Sequence, residues 1–229
     1  MLKIAHRGAK LQATENTLAA FAAAIKSGAD MVELDVHLSK DGQIVVIHDP
    51  TLERTTNGQG FVCDLTLAQI QSFKTQEGES IPTLEQVFKL CKGKIKILVE
   101  IKSLNCVEQI AKLIKEYNNH ALHRERRELN SSEIVVQSFL HGELLEFRKF
   151  DQVTPTAILF DELLIDGRVL SKYLQKMQAQ GVNMNYKKIH PQLLQTLHQN
   201  QQFVYAWGME EKDVPALEKM GIDGVTLAL

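Results

Sequence analysis

The chain has 229 residues, 44% of them hydrophobic, and its 26 basic and 28 acidic side chains leave a formal net charge of -2. That length and apolar fraction suffice for a sizeable α/β core, and the near-even charge balance gives no electrostatic ground for nucleic acid or a membrane surface as main partner. The three cysteines lack a C-x-x-C pair, no stretch approaches the ~20 apolar residues that span a bilayer, and the first residues run straight into a strand-like segment, so a soluble protein of the reducing cytoplasm is expected.

Residues 2–5 form the first predicted strand, followed after a loop by a helix over about 17–27 that Thr14 or Asn16 caps and Gly28 stops. Residues 31–38 are the second strand. After the turn Lys40-Asp41-Gly42, the run Ile44-Val45-Val46-Ile47 is too short for a helix and strongly β-branched. Between about 49 and 81 the pattern loosens around the turn-rich stretch 55–60, with one short helix near 65–73. That segment reads as an excursion with too few apolar residues for a core of its own.

Thr83 opens a helix reaching Cys91. Strand 95–101, helix 107–117, strand 134–138 and helix 142–150 follow. Strand 156–160, helix 168–180, strand 182–185, helix 191–199, strand 203–207, helix 214–220 and strand 224–227 complete the pattern. The linker 118–130 mixes both charge signs and reads as a solvated loop or helix extension. Repeated strand–helix alternation predicts a parallel sheet, closed into a barrel or open and doubly wound. Eight main strands result when 44–47 is counted with the second unit. A final helix is missing or truncated, which is expected to expose barrel surface between the last and first strands for a second copy to cover.

Within strand 31–38, Glu33 and Asp35 share one face, opposite Leu34 and Val36. Like charges side by side are hard to bury without a cation between them. Glu100 and Lys102 repeat the device at the end of strand 95–101. His6 and Arg7 close the first strand, and His48 ends the run 44–47. In a barrel all these positions fall at the C-terminal strand ends, where active sites form.

Glu33, Asp35 and Glu100 supply three hard oxygen donors that suit Mg2+ or Ca2+. Pairing with rim lysines explains either acid of the 33/35 pair taken alone equally well, whereas the trio favours a metal ligand set. His6 and His48 are the candidate general acid and base. Arg7 and Lys102 can hold phosphate oxygens, one as a fork and one as a point charge, with ordinary ion pairing as the alternative. Glu15 and Asn16 either hydrogen-bond to Arg7 or His6 or begin the helix, and helix initiation is the preferred account of Asn16. The remaining histidines (His37, His120, His123, His141, His190, His198) read as structural or surface groups, with His37 expected to face away from the Glu33/Asp35 side.

The ordered set His6-Arg7-Gly8, Glu15-Asn16-Thr17, Glu33-Leu34-Asp35-Val36, Lys40-Asp41-Gly42 and His48-Asp49 resembles the glycerophosphodiester phosphodiesterases. The resemblance continues through Pro82-Thr83-Leu84-Glu85, Glu100-Ile101-Lys102, Gln137-Ser138-Phe139, Trp207 and Gly221-Ile222-Asp223-Gly224, and so covers nearly the whole chain. It implies an α/β fold, a (β/α)8 TIM barrel in one domain over 1–229, with an insertion at about 49–81 after the second strand.

The resemblance also implies divalent-metal-dependent hydrolysis of glycerophosphodiesters to glycerol 3-phosphate and an alcohol, within lipid and glycerol metabolism. Glu33, Asp35 and Glu100 fall on the metal positions, His6 and His48 on the acid–base pair, and Arg7 and Lys102 on phosphate-contacting positions. A lyase that stops at a cyclic phosphate and a non-catalytic phosphate-ligand-binding member are the alternatives. Two departures stand at the expected pocket rim. Trp207-Gly208-Met209-Glu210 replaces the usual Trp-Thr-Val-Asn, and Thr226-Leu227-Ala228-Leu229 replaces Thr-Asp-x-Pro.

Overall fold

The computed structural model describes residues 1–119, 133–161 and 166–229. The linker expected to be solvated, with His120 and His123, lies outside the described residues from 120 onward. Eight strands pair in parallel: β1 (Leu2–Ala5), β2 (Met31–Leu38), β4 (Lys96–Ile101), β5 (Ile134–Ser138), β6 (Thr156–Phe160), β7 (Gly181–Asn185), β8 (Phe203–Trp207) and β9 (Gly224–Leu227). Because β1 pairs with both β2 and β9, the sheet closes into a barrel rather than an open doubly wound sheet. The short β3 (Ile44–Val46) folds back antiparallel onto the end of β2.

The connecting helices are α1 (Leu18–Lys26), α2 (Leu67–Ser72), α3 (Leu84–Cys91), α4 (Val107–Asn119), α5 (His141–Phe147), α6 (Gly167–Lys176), α7 (Pro191–Gln199) and α8 (Val214–Met220). The hydroxyls of Thr66 and Thr83 cap α2 and α3. The cap of α1 corrects the sequence expectation. Thr17 accepts from the Ala20 amide, not Thr14 or Asn16, because the Asn16 side chain is drawn to Asp35. The α6 helix ends earlier than expected, since Gln178 takes a positive φ of 52°.

Strand alternation sorts the apolar residues into two layers. Val32, Leu34, Val36, Ile97, Val99 and Ile101 face outward into the core beneath the helices. Ile4, Met31, Leu98, Val135, Ala157 and Tyr205 face inward and plug the lower barrel, with Leu2 and Phe203 against them. Glycines make room for the aromatic part of this plug. A Cβ on Gly181 would stand 2.3 Å from the Phe203 ring, and one on Gly224 2.8 Å from Tyr205. Above the plug, Glu33, Gln137, Asn183 and Thr226 come from the alternating strands β2, β5, β7 and β9 and form a buried polar tier. The barrel is therefore dry and filled below, polar above.

Two further expectations are corrected. The excursion closes a small core over the run 44–47, where Val45 and Ile47 turn away from the main core onto Leu52, Val62, Ile70 and Ile81. The seam between β9 and β1 is not exposed. Its outward residues Ala5 and Val225 are fully buried and Leu227 is 9% exposed, since all three pack into the core beneath the helices. Cys63, Cys91 and Cys106 are free thiols. Among the described residues no helix is long and apolar enough to cross a membrane.

Away from the polar tier, one buried cation ties two connections together. Arg148, 5% exposed, donates to the carbonyls of Gln178, Asp151 and Thr154, to the Thr156 hydroxyl and to Gln180 Oε1. Removing it leaves several buried acceptors without donors. Arg148→Met should therefore lower stability by about 3 kcal/mol, seen as a reduced urea midpoint at unchanged m-value.

Candidate active site

The register of β2 against β4 sets Asp35 directly opposite Glu100, with Glu33 one inward position below. Glu33, Asp35 and Glu100 are all buried, and each offers one oxygen within 4.8 Å of the other two. Burial, with repulsion from Asp35 and Glu100, raises the Glu33 pKa well above that of an ordinary glutamate. Burial and the Asp35 charge push Glu100 up to about 7. Glu33 Oε1 is buried without a hydrogen-bond partner. Three hard oxygen donors that repel one another, one of them orphaned, fit a divalent cation such as Mg2+ or Ca2+.

The loop after β1 braces these acids. Arg7 and Asn16 both adopt left-handed backbone, with φ of 57° and 58°. Asn16 earns that conformation by gripping Asp35: its Nδ2 donates to Asp35 Oδ2 at 2.9 Å, and its Oδ1 accepts the Asp35 amide at 3.3 Å. Helix initiation is thus not its role. The Arg7 amide donates to Glu33 Oε2 at 2.9 Å, while its guanidinium lies 3.3 Å from Asp35 Oδ2 and bonds Glu15. Gly8, at φ 80°, leaves no room for a side chain, because a Cβ would meet the Ala20 carbonyl carbon at 2.8 Å.

His48 and His6 present opposite faces of imidazole chemistry. His48 Nδ1 lies 2.6 Å from Asp49 Oδ1, and the Arg54 guanidinium beside Asp49 holds that carboxyl down to about 2. An ionised Asp49 requires the proton on Nδ1, so Nε2 carries the lone pair of the ring. Lys102 donates to that Nε2 at 3.2 Å and to Glu100 Oε1 at 2.8 Å. Burial pushes the Lys102 ammonium toward neutrality, but Glu100 and Asp35 more than offset it, and its pKa rises. His6 Nδ1 instead receives a hydrogen bond from Lys10 Nζ at 2.9 Å, which puts the ring proton on Nε2, 4.0 Å from Glu33 Oε2. Burial, aided by Lys10 and Arg7, holds His6 down to about 4.

His37 does not face away as expected. Positions 33, 35 and 37 share parity, so His37 lies on the acid side, where Nε2 donates to the His48 carbonyl at 3.0 Å and Nδ1 accepts from Ser103. It anchors His48 without lining the cavity. The other described histidines are structural. His141 bonds Tyr173 and the Leu159 carbonyl, His190 caps α7, and His198 pairs with Asp223.

His6, Arg7, Glu33, His48, Glu100 and Lys102 all line one cavity of about 420 Å3, with Asp35 buried behind them. Its far wall carries Asn183 Oδ1, Thr226 Oγ1 and Trp207 Nε1, three buried polar atoms without partners. Phe139, Gly208, Met209 and Ala228 form an apolar side of the same cavity, so both departures in the late strands do reach the pocket. Lys10, Asp49 and Arg54 join the site without having been expected there. Asp49 was visible as the neighbour of His48, but nothing in the local pattern marked Lys10 or Arg54.

The profile of the Glycerophosphoryl diester phosphodiesterase family matches residues 6–227. The chain is 36% identical over 238 residues to a glycerophosphodiester phosphodiesterase of Caldanaerobacter subterraneus subsp. tengcongensis, covering 98% of this chain and 92% of that protein. It is 34% identical over 239 residues to one of Bacillus altitudinis, covering 98% and 94%. Among solved structures, a glycerophosphodiester phosphodiesterase of Thermotoga maritima superposes with a TM-score of 0.80 at 26% identity, covering 99% of this chain and 93% of that one. An Oleispira antarctica phosphodiesterase in complex with the product sn-glycerol-3-phosphate shares the fold, with a TM-score of 0.84 at 24% identity over 99% and 92% of the two chains.

Two outcomes follow from the buried acids. Glu100 has a higher pKa folded than unfolded, so the stability it contributes is present below about pH 4.5 and is lost as pH rises through about 7. In EDTA the melting temperature should fall by roughly 5 °C across that window, and Glu100→Gln should flatten the fall. Asn16→Ala, which frees Asp35 from its brace, should weaken divalent-cation binding about 10–100-fold by titration calorimetry.

Proposed function

This chain belongs to the glycerophosphoryl diester phosphodiesterase family, and from that premise we propose that it hydrolyses glycerophosphodiesters to glycerol 3-phosphate and an alcohol with the help of a divalent cation. The observation that carries the proposal is the convergence of the acid trio, two differently protonated imidazoles and two cations on a single cavity. The free thiols accord with residence in the cytoplasm.

A Mg2+ or Ca2+ ion held by Glu33, Asp35 and Glu100 would supply Lewis acidity to the phosphodiester and offset the buried negative charge. Arg7 and Lys102, which both line the cavity, hold phosphoryl oxygens and steady the charge that grows on them. His48 is the base. Its Nε2 lone pair takes the proton of the attacking water or glycerol hydroxyl, and Asp49 stabilises the imidazolium that results. His6 is the donor, presenting Nε2–H for the departing alcohol oxygen. The orphaned polar atoms of Asn183, Thr226 and Trp207 are available to the hydroxyls of a glycerol moiety.

Phosphorus NMR on glycerophosphodiesters tests this directly. The expected product is glycerol 3-phosphate, formed with Mg2+ or Ca2+ and abolished by EDTA. His48→Ala should lower kcat by about 10^2- to 10^4-fold. A cyclic phosphate that accumulates as the final product would make the protein a lyase, and binding without turnover would make it a phosphate-ligand receptor.

A further inference from the structure

Three of the cations around the site already have partners there. Arg7 is tied to Glu15 and Asp35, Lys102 to Glu100 and Asp35, and Arg54 to Glu15 and Asp49. Lys10 differs. It lines the catalytic cavity, is half-buried, and among the described residues no carboxylate lies within ion-pair distance of it; its Nζ is 2.9 Å from His6 Nδ1.

An ammonium has only protons to give, so that contact leaves His6 as a neutral ring with its proton on Nε2. A neutral imidazole that surrenders Nε2–H to an alkoxide would become an imidazolate, a strongly basic anion. A second proton arriving at Nδ1 in the same step removes the difficulty, and the group standing at Nδ1 is the one able to deliver it.

We propose that Lys10 and His6 form a proton relay to the leaving-group oxygen, a role that rests on the phosphodiesterase reading of the site. As the phosphorus–oxygen bond to the alcohol breaks, the Nε2–H bond of His6 breaks and the alcohol O–H bond forms. In the same step a Lys10 Nζ–H bond breaks and the Nδ1–H bond forms. The ring begins and ends neutral with its tautomer exchanged, while Lys10 passes from ammonium to amine. After the alcohol leaves, a proton taken from solvent at Nε2 and return of Nδ1–H to the amine restore the starting state. Burial and the adjacent Arg7 charge lower the Lys10 pKa, which eases the transfer.

The test compares two diesters of glycerol 3-phosphate with Lys10→Met and Lys10→Arg. One carries an ethanolamine alcohol, whose alkoxide must be protonated to leave; the other carries p-nitrophenol, whose oxide leaves unaided. Lys10→Met should lower kcat/KM on the ethanolamine diester by about 10^2-fold and on the aryl diester by no more than about 3-fold. Lys10→Arg keeps the charge and the hydrogen bond but does not release its proton, and should show the same split.

Equal losses on both substrates would mean that Lys10 only shapes the cavity. Full rescue by Lys10→Arg would mean that it only orients the ring. Either result overturns the relay. If the unaltered protein hydrolyses neither diester with Mg2+ or Ca2+ present, the phosphodiesterase reading fails and the relay falls with it.

Discussion

Mutual repulsion among Glu33, Asp35 and Glu100 is the constraint around which the molecule is arranged. Three carboxylates whose oxygens lie within 4.8 Å of one another cannot all be charged in a dry interior without positive charge nearby. The barrel solves this by position. Its lower half is sealed with apolar and aromatic side chains, so the acids sit at the boundary where the interior turns polar. Above them stand the cations and imidazoles that answer their charge.

The bracing around the trio is as specific as the trio itself. Each acid is met by a fixed partner: Glu33 by a backbone amide, Asp35 by both ends of an amide side chain, and Glu100 by the lysine that follows its own strand. The contacts to Glu33 and Asp35 come from the loop after β1, whose Arg7 and Asn16 take left-handed backbone. Strain of that kind persists only where the surroundings over-determine it, and here the surroundings are the acids. The loop and the acids hold each other in place.

Much of this was legible from residue order. The strands at 2–5, 31–38, 134–138, 156–160, 203–207 and 224–227 coincide with their expected limits, because each is a β-branched or apolar run bounded by turn residues. The face shared by Glu33 and Asp35 follows from alternation alone, and so would the placement of His37 on that same face. What escaped depends on partners far apart in sequence. The side chain of Asn16 reads as a helix cap until Asp35 is seen beside it. The run 44–47 reads only as a short strand, and its packing against residues 52, 62, 70 and 81 has no local signal. Lys10 has no periodic neighbour at all and gains meaning only from the ring it touches.

Arg54 belongs to the excursion, yet it grips Asp49 and Glu15 together. Asp49 fixes the ring of His48, and Glu15 fixes the guanidinium of Arg7. One guanidinium from a peripheral segment thus yokes the aim of two separate arms, so any drift of that segment detunes both in lockstep. The excursion is, in mechanical terms, the tensioner of the site.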